Sequence, residues 1–199
     1  MKNAITYINE NEEPILKKHG VLYTSNYKSP LGMITLAGDD ENLIGLWVEG
    51  QKYFAASMKG HAGKKSERPI FVKTKKWLDA YFAGKKPAIS QLSLAPIGSD
   101  FSKAVWNIMC EIPYGQYTTY GEIAKKMAIM MNRESMSSQA VGSAVAHNPI
   151  TVIIPCHRVV GSNGSLTGYA GGIDKKIQLL ELEGVDMSNF FVPKKGTAL

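Results

Sequence analysis

The alternation of apolar and polar positions divides the chain into two textures. Residues 20–50 read as β structure. Val21-Leu22-Tyr23-Thr24 leads into a turn at Ser29-Pro30-Leu31-Gly32. Two β-rich runs, Met33 to Ala37 and Leu43 to Val48, then flank the Gly38–Asn42 cluster and predict a hairpin. Across 70–82, Phe71, Lys75, Leu78 and Phe82 recur at helical spacing, with Gly84 as a stop signal. After a break over 87–98, helices dominate. Phe101, Val105, Ile108 and Ile112 share one face, capped by Ser99 or Asp100 and ended by Pro113-Tyr114-Gly115. Thr119-Tyr120-Gly121-Glu122 has the form of a capping box, in which each side chain satisfies the other's free amide. Ser137-Ser138 opens the next helix and Asn148-Pro149 ends it. Thr151-Val152-Ile153-Ile154 reads as a buried strand running into Pro155-Cys156-His157-Arg158. Ser162 to Ser165 reads as a turn. A last helix, Ile173 to Glu183, turns Ile173, Ile177 and Leu180 inward and is capped by Gly184. The pattern predicts a mixed α/β (α+β) chain of two domains, residues 1–95 and 96–190, with a tail over 191–199.

The helix after Ser137 carries almost no bulk, with Ala140, Gly142, Ser143, Ala144 and Ala146 along it. Such a surface suits close packing inside a protein. It also suits a helix laid into a nucleic-acid groove, and two helices joined by a linker resemble a helix-turn-helix.

Composition and charge refine this picture only modestly. The 199 residues are 44% hydrophobic and 20% charged, ordinary for a globular protein. The net charge is +6, and residues 1–95 hold 14 Lys and Arg against 9 Asp and Glu, whereas 96–199 hold 9 against 8. The excess gathers between Lys52 and Lys86. It permits a nucleic-acid partner, and it equally describes a solvated lysine-rich face. Met1 to Pro14 lacks the basic start and apolar run of a signal peptide, and no stretch approaches the ~20 apolar residues of a membrane span. A protein of the cytoplasm or one associated with the nucleoid, free of the membrane, is expected, with cytoplasmic as the primary reading.

Candidate chemistry centres on one thiol. The chain has 2 Cys, Cys110 and Cys156, and no Cys-x-x-Cys. The 4 His (His19, His61, His147, His157) and 2 Cys do not fall in zinc spacing, so no metal is expected. Cys110, within a helical pattern, reads as a small buried hydrophobe. Cys156 follows an apolar run and a proline, and His157 comes next. Cysteine attacks as thiolate, and an imidazole can take its proton. Adjacent side chains on an extended strand point to opposite faces, so either the chain turns at Cys156 or a water bridges the pair. A carboxylate is then needed to orient the far imidazole nitrogen.

Ile154-Pro155-Cys156-His157-Arg158-Val159 resembles the active-site signature of the O6-alkylguanine-DNA alkyltransferase family. The resemblance extends, in order, through Pro113-Tyr114-Gly115, Thr119-Tyr120, Ala140-Val141-Gly142, His147-Asn148-Pro149, Thr167 to Gly172 and Leu182-Glu183-Gly184. It covers nearly all of residues 100–185. The first half resembles the family in texture, including Ser29-Pro30-Leu31-Gly32 before a strand.

The resemblance implies a ribonuclease H-like N-terminal domain and a winged helix-turn-helix catalytic domain. It implies a single-turnover DNA repair enzyme, without cofactor, that moves the alkyl group of O6-alkylguanine, and as a second substrate O4-alkylthymine, onto Cys156. His157 would be the base, acting through water, and Glu183 would orient it. Tyr120 would rotate the 3′ phosphate and hydrogen-bond N3 of the departing guanine, and Asn148 would brace the active-site turn. Backbone groups of Cys156 and Val159, with Tyr169 and Ala170, would line the guanine pocket. The partner implied is double-stranded DNA, bound by a monomer from the minor groove, with Tyr120, Gly121, Gln139, Ala140, Ser143 and Ser162 at the contact. Gln139 stands where many relatives carry an arginine that fills the space of the flipped base. Two rival readings have clear marks. Alkyltransferase-like binders carry tryptophan in place of the cysteine, and regulators of this family carry an extra cysteine-rich metal domain.

Overall fold

The computed structural model describes residues 21–58 and 63–194; the expectations for Met1 to Pro14 and for 195–199 of the tail lie outside the described residues. Strands β1 (Tyr23–Ser29), β2 (Gly32–Gly38), β3 (Leu43–Val48) and β4 (Lys64–Lys65) form one sheet in the order β3-β2-β1-β4. The predicted hairpin is β2 and β3, antiparallel, with Ile34 opposite Val48. The turn at Ser29–Gly32 joins a second hairpin, β1 to β2, because β1 continues through the polar stretch Ser25 to Lys28. All six residues of β3 are buried. Leu43, Leu46 and Val48 enter the main core, whereas Ile44 and Trp47 enter a smaller one with Leu22, Ala37 and Met58.

Helix α1 (Pro69–Phe82) starts with proline at its first turn, where no backbone donor is lost. It buries Ile70, Phe71, Thr74, Trp77, Leu78 and Tyr81, a stripe at helical spacing. Lys75, on the predicted stripe, sits at its edge and donates to Ser25 Oγ and Glu67 Oε2 at 2.9 and 2.8 Å.

Helices α2 (Asp100–Cys110), α3 (Tyr120–Met130), α4 (Ser138–Ala146) and α5 (Ile173–Leu182) build the C-terminal half. Ser99 and Ser137 accept from the amides of Ser102 and Ala140 as N-caps, an interaction that stabilises a helix by about 1 kcal/mol. The Thr119/Glu122 capping box is complete. In the linker that follows α3, Met136 packs against the core while Met131 is exposed, as is Met130 at the helix end. Helices α3 and α4 form the helix-turn-helix. A short parallel pair, β5 (Thr118–Thr119) with β6 (Val159–Val160), ties its entrance to the segment after Cys156.

The smooth helix α4 has two different faces. Val141, Ala144 and Val145 are buried, and Trp106 donates its indole N–H to Ala144 O at 2.8 Å. Gln139, Ala140 and Ser143 are exposed.

Residues 151–154 are not a strand. They form successive turns, completely surrounded by core, with Val152 at φ +74°. A fully buried apolar run lacks the period that separates strand from other buried backbone, which is why the sequence misleads here.

The two halves share one continuous core. The outer edge of β3 is covered rather than free: Leu46 N donates to Pro149 O at 2.8 Å and Thr151 N to Leu46 O at 3.0 Å. Lys52 N adds a bond to Ala170 O at 2.9 Å.

Candidate active site

The backbone around Cys156 is held from within. Asn148, 4% exposed, accepts from Ile150 N at 3.0 Å and donates to Ile154 O at 2.8 Å, so one side chain spans the whole buried turn. Pro155 then redirects the chain, and Cys156–Arg158 form a single 3₁₀ turn. On such a turn neighbouring side chains stand about a third of a circle apart rather than opposed. The chain therefore turns at Cys156, and the two side chains are not held on opposite faces.

Two groups of the predicted relay, His157 and Glu183, meet directly, and Cys156 is next to His157 in the turn. His157 is completely buried, and its Nε2 lies 2.8 Å from Glu183 Oε1. Facing a carboxylate, Nε2 carries the proton, which leaves Nδ1 as the basic nitrogen. Nδ1 is buried and makes no hydrogen bond within the protein. Glu183 follows the last turn of α5 and gathers five donors. Oε1 accepts from Tyr81 Oη (2.6 Å), His157 Nε2 (2.8 Å) and an Arg158 guanidinium nitrogen (2.8 Å). Oε2 accepts from Arg158 Nε (2.8 Å) and Gly115 N (3.1 Å). Gly115 has φ +77°, and a Cβ there would stand 2.9 Å from Glu183 O, so glycine fits on both counts.

Burial sets the resting protonation. It pushes the Cys156 thiol up, against hydrogen bonding from Asn148, the charge of Lys176 and nearby backbone amides. Burial also pushes His157 down, against the pull of Glu183. Both groups therefore rest neutral, as thiol and imidazole. Glu183 is held far below the usual carboxylate range; burial opposes this, and its His157 and Arg158 partners outweigh it. The site thus stores a proton donor and an acceptor beside a fixed negative charge that favours imidazolium once it forms.

A cavity of about 790 Å³ lies between α4 and the loop 167–172. Its walls come from Tyr120, from Gln139 and Ser143 of α4, from the loop 167–172, and from Lys52 and Tyr53 of the N-terminal half. Tyr120 donates to Thr167 O at 3.0 Å, and burial pushes its phenol up to about 12, so it remains a donor at neutral pH. Gly168, at φ +70°, lies where a Cβ would come within 2.6 Å of Tyr120 Oη.

Among the expected pocket residues, Tyr169 and Ala170 line this cavity, while Cys156, 3% exposed, and Val159 are buried and do not line it. Val159 is fully buried and its carbonyl is taken by Lys176 Nζ at 2.6 Å. Of the expected contact residues, Tyr120, Gln139 and Ser143 line the cavity and Ala140 is exposed beside them, whereas Gly121, half-buried, and Ser162, exposed on a loop, do not line it. Among the described residues no group of three or more His, Cys, Asp or Glu could hold a metal ion. No helix among them is long and apolar enough to cross a membrane.

Three polar residues of the site escape the sequence reading. Tyr81 and Arg158 bind Glu183, and Lys176 donates to Val159 O and Thr167 O at 2.6 and 2.8 Å. Desolvation brings the Lys176 amine down to about 8. Lys176 lies three residues after Ile173 and four before Leu180, so its inward direction is present in the spacing. Ile173 and Ile177, expected inward, are half-buried.

A buried thiol, imidazole and carboxylate in one chain with a helix-turn-helix define a class: a nucleic-acid-reading protein with a candidate cysteine nucleophile. Known proteins make the assignment specific. Residues 22–96 match the family described as 6-O-methylguanine DNA methyltransferase, ribonuclease-like domain, and residues 100–185 match its DNA binding domain. A methylated-DNA–protein-cysteine methyltransferase of Methanosarcina acetivorans is 46% identical over 171 residues, covering 82% of this chain and 99% of that one. Its counterpart in Haemophilus influenzae is 38% identical over 164 residues, covering 82% and 87%. A solved structure of Mycobacterium tuberculosis OGT in complex with DNA superposes with a TM-score of 0.69 at 38% identity, over 81% of this chain and 92% of that one. The chain belongs to the 6-O-methylguanine DNA methyltransferase family.

Proposed function

We propose that this chain is a DNA repair enzyme that takes the alkyl group from O6 of guanine in double-stranded DNA and keeps it on Cys156. The observation that carries this reading is the unpartnered Nδ1 of His157, next in sequence to a buried thiol and backed by Glu183. His157 takes the thiol proton at Nδ1, with water as the bridge. Glu183 balances the imidazolium through Nε2. The thiolate attacks the alkyl carbon in line; the sulfur–carbon bond forms as the carbon–O6 bond breaks. Tyr120 exchanges its bond to Thr167 O for N3 of the leaving guanine and steadies the charge that develops there. The product is a thioether, which water does not cleave, so each molecule acts once.

A carbon at O6 is out of reach inside a duplex, so the base is flipped out, at a cost of a few kcal/mol that a weakened alkylguanine pair reduces. The cavity between α4 and the loop 167–172 receives the base. The exposed face of α4, with Ala140 and Ser143, enters the minor groove, and Gln139 fills the gap and hydrogen-bonds the orphaned cytosine. Gly121 and Ser162 contact the backbone on either side. Asn148 keeps the turn in place. The protein acts as a cytoplasmic monomer and needs no cofactor.

The reading is tested by counting. Protein is mixed with an excess of O6-methylguanine duplex and the surviving lesions are measured over time. One lesion lost per protein molecule, followed by a plateau, supports it. Continued loss at a steady rate refutes it.

A further inference from the structure

We propose that Tyr81, a residue of the N-terminal half, is a positioning residue of the relay: its hydroxyl occupies Glu183 Oε1 and so limits how tightly that oxygen grips the His157 imidazole. The proposal rests on the reading of His157 as the base of Cys156.

The geometry is specific. Tyr81 sits in the last turn of α1, 1% exposed, and donates to Glu183 Oε1 at 2.6 Å. The same oxygen faces His157 Nε2 at 2.8 Å, and Tyr81 Oη lies 3.4 Å from that nitrogen. Three donors therefore converge on one carboxylate oxygen, His157 and Arg158 from the C-terminal half and Tyr81 from the N-terminal half. The ring alone does not call for the hydroxyl. It stacks on Trp77 at 5.4 Å and meets Phe82 and Tyr114 edge-on at 5.3 and 5.9 Å, contacts that phenylalanine would keep. A hydroxyl in such a place costs stability unless it is bonded. Its bond goes to the group that orients the base.

The direction of the effect follows. A carboxylate oxygen already accepting from a phenol has less electron density for a second donor. It therefore stabilises imidazolium less, and His157 stays a weaker base than Glu183 alone would make it. The other charged or titratable groups around the pair are Arg158, which shares Glu183, Lys176 from α5, Tyr114, which meets the Tyr81 ring edge-on, and Tyr169. Arg158 and Lys176 both disfavour imidazolium, so they act in the same sense as Tyr81. Tyr81 itself stays protonated, because burial and the Glu183 charge push its phenol far up. It is a donor at every pH of interest.

The consequence is a link between the halves. The N-terminal sheet and α1 contact the relay through this hydroxyl, so the basicity of His157 depends on how α1 docks.

The test is Tyr81→Phe in the full chain. The His157 imidazole is titrated by NMR, and single-turnover methyl transfer from an O6-methylguanine duplex is measured across pH. The expected result is an upward move of the His157 titration by roughly half a unit to one unit. The acid limb of the transfer profile should move by the same amount. Superimposed titrations and profiles overturn the proposal. His157→Gln serves as control: if the parent profile has no acid limb that this variant removes, the base reading fails and the proposal falls with it. Should Tyr81→Phe not fold, the Tyr81 hydroxyl proton of the parent is followed instead. A slowly exchanging resonance that shifts as His157 titrates supports the proposal, and one that stays flat through that titration overturns it.

Discussion

Cys110 and Cys156 make a natural experiment within one chain. Both thiols are free and buried, and burial pushes both up, Cys110 to about 12. Cys110 ends α2 among apolar neighbours in the main core, where Arg158 lowers its pKa only in part. Cys156 stands on a turn braced by Asn148, next to an imidazole whose free nitrogen is buried and whose other nitrogen is fixed by a carboxylate. Burial alone therefore does not select a nucleophile. In the proposed reaction the selection comes from a base positioned to take the proton, and from a carboxylate to stabilise the charge left behind.

The largest effect should come from removing the sulfur. Cys156→Ser should abolish alkyl transfer, measured as lesion loss from an O6-methylguanine duplex, while leaving the protein folded and DNA-binding. Retained transfer would erase the distinction between the two thiols.

Glu183→Gln tests the carboxylate. It leaves the Arg158 guanidinium buried without its counter-charge, which should cost about 3–5 kcal/mol in urea unfolding. Transfer should slow by roughly 100-fold or more, the scale of general-base catalysis. Because Glu183 titrates below its ordinary value of 4.5 in the folded protein, its stabilisation is complete above that value and is lost as pH falls below it. The Glu183→Gln variant should lack that part of the acid sensitivity.

The base is tested by pH. His157 is depressed below its ordinary 6.5, so the transfer rate should hold down to that value and fall only at lower pH. His157→Gln should be slow at neutral pH and should approach the parent as pH rises, because hydroxide then ionises the raised Cys156 thiol. A gap that stays constant with pH would argue against proton transfer from Cys156 to His157.

Smaller effects are expected at the mouth of the cavity and at the other thiol. Gln139→Ala should weaken duplex binding or slow repair by a few-fold, read by titration and by single-turnover rate; parental values in both would rule out the gap-filling role. Cys110→Ala should leave transfer unchanged and lower stability by about 1 kcal/mol.

The sequence is informative where chemistry and local rules coincide. The Thr119/Glu122 box and the Ser99 cap are contained in a few adjacent residues, and they form as the local pattern dictates. The Cys156–His157 pair is visible, as is the need for a carboxylate. The resemblance to known alkyltransferases supplies Glu183, 26 residues away from His157. Tyr81 lies 102 residues from Glu183, and nothing local to α1 announces that its hydroxyl points at the relay. The turn at 151–154 reads as a strand because every residue in it is buried, so its pattern has no period to read. Arg158 stands within the signature, yet its pairing with Glu183 depends on α5 ending where it does.

The most direct test of the central claim is where the alkyl group ends. After the protein reacts with an O6-methylguanine duplex, its peptides are analysed by mass spectrometry. The account predicts one added methyl on the peptide holding Cys156 and none on the peptide holding Cys110. Methyl on Cys110, or on neither peptide while the lesion disappears, would contradict it.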